Sequence, residues 1–459
     1  MSISTFMGVE TALRGILAQQ EALDVTGHNI ANANTAGYTR ETVDLQPFYP
    51  FPAYGIDNPV AGGQLGGGVD AGTISRLRDQ YLDVQYRTQN YKSGHDQALT
   101  DGLQQVDQTL AEPSDNGLST LFSQFNAAWQ DVANDPQSIA ARQALIQKGK
   151  ALADGIDSLN SQLTTFQSQN ETYEDQTVSD LNSYTQQISA LNLQIKNAQA
   201  VGLTPNDLLD QRDTLIDKVQ NLVNATPSPQ TDGTVFLSVG GVALIDSAGQ
   251  HDVALDSTRT QLQWATSPTG TAAVTTGKLG GLIDYAASLT SYQTSLQGVA
   301  TKLIADVNGG QAAGADLYGN AGTAFFDTGS SGQLIGVTAT MLADPKLVAA
   351  AAGGPPPGGP GDGSNAISIS NLTGASDLYQ TLVTRIGSDA QAAQRSSDAS
   401  SALLQSIQNR RLSVSGVSLD EEMSNLLQYQ RGYQASARAL TAMDDMVNLL
   451  ITRTGRSGL

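Results

Sequence analysis

Apolar residues recur at intervals of three, four and seven along both ends of the chain and through much of its middle, the spacing of amphipathic helices. Near the start, Val9, Ile16, Leu23 and Ile30 are spaced by sevens, with Phe6 and Leu13 in a companion column. That column continues as Gln20 and Gly27, so the stripe narrows toward the run HNIANANTAGYTR, His28 to Arg40. The run holds Asn29, Asn32 and Asn34 and has no bulky apolar residue between Ile30 and Tyr38. Small side chains allow close backbone approach, and asparagine amides can bond to backbone without carrying charge. Gly37 is a natural left-handed stop. The pattern predicts a helix that packs tightly against something and then turns off sharply. At the other end, Leu419, Leu426, Tyr433, Leu440 and Val447 are again spaced by sevens, with Met423 and Ile451 marking the companion column. Met443 and Leu450 widen this face, while Gln430 and Asp444 interrupt it. A heptad helix at each end predicts that the two pair with each other or with copies in neighbouring subunits.

Between the ends, helical and non-helical stretches alternate. Residues 41–76 are rich in Pro and Gly with short β-like runs, and a helical pattern follows from Ile74 to about Leu110. A long helix is predicted from about Asp135, carried by Leu145, Leu152, Ile156, Leu159, Leu163 and Phe166. Its pattern slips near Tyr173 and returns as Leu181, Tyr184, Ile188, Leu191 and Ile195, as a coiled-coil stutter would. A turn at GLTPND leads into a helix from Leu208 to Val223. From Thr234 to about Thr276, Val, Thr and Gly predominate and predict strands. Helix returns at Leu279, with Leu282, Leu289, Tyr292, Leu296, Val299 and Leu303 on one side. A second non-helical island spans about Gly309 to Leu372 and includes AAAGGPPPGGPGDGSN, which reads as a flexible surface loop. The expected fold class is mainly α with inserted β.

Composition narrows the function classes. The 459 residues carry 44 acidic and 24 basic side chains, a net charge of −20, and no segment gathers a basic stripe. Nucleic acid and anionic membrane surfaces are therefore not expected partners. There is no cysteine, which removes disulfides, thiolate chemistry and Cys-based metal sites. The opening residues lack the pattern of a cleaved Sec signal peptide, and no apolar run is long enough for a transmembrane helix.

Candidate chemistry is sparse. His28, His95 and His251 are far apart and stand in no metal-ligand spacing, so each reads as a solvated or hydrogen-bonded side chain. GGQLGGG lacks the Lys-Ser/Thr ending of a phosphate loop, and DLYGN (316–320) lacks the remaining ligands of a calcium loop. Asp420, Glu421 and Glu422 read as negative charge stabilising a helix N-terminus rather than as a metal site. Asn170-Glu-Thr and Asn371-Leu-Thr match a glycosylation pattern, a weak signal. No nucleophile–base arrangement stands out. Neither an enzymatic activity nor a cofactor or metal is expected.

The ends carry a resemblance. ALDVTGHNIANANTAGYTRETVDL resembles the N-terminal signature of the bacterial flagellar axial family of rod, hook and hook-associated proteins, through Asn29, Ile30, Ala31, Asn32, Asn34, Thr35, Gly37 and Tyr38. SGVSLDEEMSNLLQYQRGYQASARALTAMDDMVNLLI is similar to the family's second signature. Within the family, ANANTAGYTR, the C-terminal run and the helical middle followed by GADLYGNAGTAFF look like a subunit of the junction between hook and filament. A hook or distal rod protein is the nearest alternative, and an adhesin or enzyme mounted on axial helices a more distant one. The long helices from Asp135 to Val223 speak against the first, and the β islands show no convergent polar set for the second.

The resemblance implies a coiled-coil-like inner layer formed by residues 1–40 and 412–459, with the terminal positions Val9, Leu13, Ile16, Leu23, Asn29, Ile30, Asn32, Asn34, Gly37, Tyr38, Leu419, Met423, Leu426, Tyr433, Leu440, Val447 and Ile451 at subunit interfaces. It implies a mainly helical long-helix bundle domain from 41–230 and 277–411, with the islands at 41–76 and 309–372, and a small outward β domain from 231–276. The implied partners are identical copies in a ring, the hook protein, a second junction protein and a cytoplasmic export chaperone on the C-terminal helix. The implied location is the flagellum outside the cell, reached through the flagellar type III apparatus without a cleaved signal.

Overall fold

The structure is a computed structural model, and it describes all residues except 1–5, 50–65, 111, 113, 115–116, 267–269, 330–331, 355–357 and 454–459. The first and last helices, α1 (Phe6–Asn32) and α10 (Leu419–Arg453), lie antiparallel: Gly8 faces Met443, Gly15 faces Ser436, and Gln19 faces Gly432. Their seam differs from the column that the heptad spacing picks out. The buried face of α1 is Ala12, Gly15, Ala18, Ala22, Val25, Thr26 and Asn29, whereas Val9, Ile16, Leu23 and Ile30 are half-buried and Leu13 is exposed. The reason is distance: a Cβ added at Gly15 would lie 2.9 Å from Ser436 Oγ. Helices this close interlock through Gly, Ala and Ser, and larger side chains are pushed to the margins of the contact.

A hairpin of β1 (Glu41–Pro47) and β2 (Val69–Arg76), antiparallel with an irregularity between Val43 and Leu45, connects α1 to the body. The body is built from α2 (Gln80–Leu110), α3 (Leu118–Asn134), α4 (Ile139–Ala200), α5 (Asn206–Leu222), α6 (Gly277–Ala313) and α9 (Gly374–Ser415). The helix α3 was not evident from spacing, although it supplies Phe122, Phe125 and the fully buried Trp129 to the core. The antiparallel strands β3 (Thr226–Pro229), β4 (Val235–Val239), β5 (Val242–Asp246) and β6 (Gly249–Gln250) make one sheet. A second contains β7 (Val253–Leu255), β8 (Gln261–Trp264) and β9 (Thr271–Ala273).

Two apolar cores lie along α4, whose 62 residues span about 90 Å at the helical rise. Leu145, Leu152, Ile156, Leu159 and Leu163 join α2, α3, α6 and α9 in the first core. Val178, Leu181, Ile188, Leu191 and Ile195 join α5 and both small sheets in the second. The slip near Tyr173 falls between the two cores, and α4 runs through it unbroken. Polar residues take the inward positions there: Asn170 and Glu174 are both 1% exposed. The Asn170 amide donates to the carbonyl of Leu282 and to Glu174. Arg259, in the β7–β8 turn with φ +56°, donates to Glu174 at 2.6 Å and to Asp175 at 2.7 Å. This burial also closes Asn170 to glycosylation.

The island after α6 contains short elements: β10 (Gly314–Ala315) pairs with β13 (Ala351–Ala352), and β11 (Phe326–Asp327) with β12 (Gly336–Val337). Between them lie α7 (Ala339–Ala343) and a 3-10 turn (Pro345–Leu347), and α8 (Ser364–Ser370) follows. The sequence reading started the island at Gly309, but α6 continues to Ala313. The Gly/Pro run is not a surface loop throughout. Ala350 and Ala351 are buried, and the Asn365 amide donates to the carbonyls of Gly310 and Ala349. Residues 355–357 lie outside the described residues. Arg142, 1% exposed, anchors this region by donating to the carbonyls of Pro136 and Val348. Burial pushes its guanidinium down to about 10.

Candidate functional site

The residues of HNIANANTAGYTR gather where the α1–α10 pair meets the body. After Asn32 the chain turns through Ala33–Gly37, and Gly37 has φ +84°. A Cβ at Gly37 would lie 2.3 Å from Thr214 Oγ1, so both conformation and space call for glycine.

Asn29, 1% exposed, is oriented by backbone groups. Its Oδ1 accepts from the Glu41 N–H, and its Nδ2 donates to the Glu41 carbonyl and to Glu422 Oε2. The Tyr38 hydroxyl, 2.8 Å from Asn29 Oδ1, must therefore donate to it. That leaves the Tyr38 oxygen to accept from His28 Nδ1 at 3.2 Å, which places the ring proton on Nδ1. Burial, with the carboxylates of Glu41, Asp207, Asp210 and Glu422, pushes the Tyr38 phenol above its ordinary value, so it remains a donor. Asn32 donates to the His28 carbonyl and accepts from Thr35.

Arg40 closes the joint from the other side. Its Nη1 donates to Glu421 at 2.6 Å, and its Nε lies 2.7 Å from Glu422 Oε1. The reading of Glu421 and Glu422 as simple helix-end charges is thus incomplete: Glu422 is 1% exposed and ties α10 to the α1 turn through Arg40 and Asn29. Spacing could not find this, because the partners are 393 positions apart.

Immediately behind lies a network of four arginines and four aspartates. Arg76 pairs with Asp210 and Asp213, Arg78 with Asp83 and Asp213, Arg87 with Asp213 and Asp217, and Arg411 with Asp83 and Asp217. These side chains come from β2, the link after it (Arg78), α2, α5 and α9, and the Thr39 N–H donates to Asp210 at 2.7 Å. Burial alone would push the Asp213 carboxyl up, but Arg78, Arg76 and Arg87 outweigh it and hold it below the usual carboxylate value. The network clamps both chain connections to the terminal helices: Thr39 follows α1, and Arg411 precedes α10.

The expected interface positions fall into three groups. Asn29 is buried within the joint, and Asn32 and Tyr38 are half-buried there. Val9, Ile16, Leu23, Ile30, Leu426, Leu440 and Val447 are half-buried along the helix pair. Leu13, Asn34, Gly37, Leu419, Met423, Tyr433 and Ile451 are exposed. Further apolar residues are exposed beside them, among them Leu17, Leu427, Met446 and Leu449. The other histidines lie elsewhere: His95 bonds Asp96 and Asp284, and His251 lies 3.0 Å from Asp246 and stacks on Trp264. Asp316 of DLYGN accepts from the backbone N–H groups of Tyr318 and Asn320, an ordinary turn. The segment GGQLGGG lies largely outside the described residues.

Three known families match parts of the chain. Residues 103–326 match the family described as the flagellar hook-associated protein FlgK helical domain. Residues 408–452 match the flagellar basal body rod FlgEFG protein C-terminal family, and residues 10–39 the flagella basal body rod protein family. The flagellar hook-associated protein 1 of Bacillus subtilis (strain 168) is 31% identical, over 99% of both chains. That of Salmonella typhimurium is 26% identical, over 96% of this chain and 99% of the relative. The latter alignment runs over 558 positions for a chain of 459 residues, so the relative carries sequence that this chain lacks. A solved structure of the flagellar hook junction protein FlgK from Burkholderia pseudomallei has the same fold, with TM-score 0.62 and 18% identity, over 72% of this chain and all of that one.

Proposed function

The chain belongs to the flagellar hook-associated protein 1 family, and on that premise we propose how this structural subunit of the hook–filament junction is built into the flagellum. Copies of the chain form a ring in which the α1–α10 pair is the inner layer. The hook protein lies on one side of the ring, and a second junction protein on the other. The helical body stands outside this layer, and residues 231–276 point away from the axis. The observation that carries this reading is the helix pair itself. It consumes its small-residue face internally and leaves Leu17, Leu419, Met423, Leu427, Met446 and Leu449 exposed. An apolar surface of this extent needs partners, and in a ring the neighbouring copies supply them.

The same surface accounts for the other partners. Before export, an exposed apolar α10 needs cover, which a cytoplasmic chaperone provides. Export runs through the flagellar type III apparatus. The role is structural: the polar groups of the joint tie α1, α10, β2, α2, α5 and α9 together.

The chain's lack of cysteine makes a direct test possible. A variant carrying Leu17→Cys and Leu427→Cys, recovered in hook preparations and oxidised, is expected to give a ladder of disulfide-linked oligomers. The dilute monomer should give none. Absence of a ladder from assembled hooks, for this pair and for neighbouring pairs along the two helices, contradicts packing through this surface.

A further inference from the structure

We propose that the joint holds a divalent cation of the zinc class between His28 and Asp207, with Glu41 orienting the imidazole. The argument starts from the proton count. The Glu41 backbone fixes the Asn29 amide, Asn29 makes Tyr38 a donor, and Tyr38 therefore takes the Nδ1 proton of His28. Glu41 Oε2, 3.3 Å from the same nitrogen, is a second acceptor for that proton. A carboxylate accepting the N–H of one imidazole nitrogen is the arrangement that orients metal-binding histidines and raises the basicity of the other nitrogen.

The other nitrogen, Nε2, which must be free of a proton to bind a metal, lies 3.9 Å from Asp207 Oδ2. A lone pair facing a carboxylate is repulsive unless a positive charge lies between them. The separation is too long for a good hydrogen bond. Two ligands of a tetrahedral zinc ion, each about 2.1 Å from it, lie about 3.4 Å apart. A small rotation of the exposed Asp207 side chain closes the difference. His95 contrasts with this: it has carboxylate oxygens at 3.2 and 2.9 Å, both in direct hydrogen-bonded pairs.

The donor geometry agrees. One ligand atom from each of His28, Glu41 and Asp207 can be chosen so that all lie within 4.8 Å of one another. The three residues come from the end of α1, the start of β1 and the start of α5. His28 and Asp207 border a cavity of about 600 Å³, also lined by Asn32, Gln187 and Gln211, with room for the ion and its remaining waters, while Glu41 stands outside that lining. An ion there would staple α1 to the body, beside the turn at Gly37. This inference rests on the geometry of the isolated chain and does not depend on the proposed ring.

The test is calorimetric titration of Zn²⁺ into the metal-stripped full-length protein, with thermal unfolding as a second readout. The expected result is one saturable site per chain and a higher Tm with Zn²⁺. Both Asp207→Asn and His28→Gln should weaken that site at least tenfold, while His251→Gln leaves it unchanged. Asp207 is exposed and outside the Asn29–Tyr38 hydrogen bonds, so Asp207→Asn decides the matter even if His28→Gln disturbs the joint. Absence of a saturable site overturns the proposal, as does an Asp207→Asn titration that matches the unmodified protein.

Discussion

Replacing Asp213 with alanine should destabilise the protein by about 3–5 kcal/mol, the cost of leaving buried charges without their partner. Asp213 accepts from Arg76, Arg78 and Arg87, and no other residue of the joint meets three guanidinium groups. Its side chain is 16% exposed, so solvent screens the pairs only partly. Without it, Arg76 keeps Asp210, Arg78 keeps Asp83 and Arg87 keeps Asp217, but three positive charges face one another across the vacated position. The damage should concentrate where β2, α2 and α5 meet, and hydrogen exchange should rise there before it rises in the core around Trp129.

The pH dependence follows from the direction of the Asp213 shift. Its folded value lies below its unfolded value, so its stabilisation is complete above the ordinary carboxylate range. That stabilisation is lost only as pH falls through the lower, folded value. Urea unfolding of the unmodified protein should therefore keep this contribution at pH 5 and lose it only in stronger acid. Asp213→Ala should lack that acid-dependent contribution.

Much of the fold was legible as periodicity. The columns Leu145–Leu163 and Leu289–Leu303 are core positions because a helix against one continuous core needs a regular stripe. The slip near Tyr173 was legible as a position but not as a cause: it marks the passage from one core to another, through Asn170, Glu174 and Arg259. Two features escaped for physical reasons. In the α1–α10 seam, the stripe of larger side chains is displaced by Ala12, Gly15 and Ala18, whose value lies in their smallness. The joint is held by pairs such as Arg40–Glu422 and Arg411–Asp217, distant in the chain, and no local spacing encodes them. The motif itself was visible, and two of its three asparagines, Asn29 and Asn32, bond to backbone as their chemistry suggested.

Leu427→Asp should abolish filament attachment while leaving the monomer nearly unchanged. Leu427 is 52% exposed in the isolated chain, where a surface substitution costs within about 0.5 kcal/mol. In the proposed ring the same position would face a neighbouring copy, where an unpaired carboxylate would cost several kcal/mol at every interface. Circular dichroism and urea unfolding of the purified variant should match the unmodified protein. Cells producing it should export the subunit yet lose swimming. Normal swimming would remove this face from the assembly surface. Loss of export would assign the face to the chaperone as well.

The central claim, that this chain joins filament to hook, is tested most directly by electron microscopy of a strain lacking it. The account predicts hooks that end bare, with filament monomers released into the medium, and filaments restored by the unmodified gene. Filaments of normal number and length on the deletion strain would contradict it.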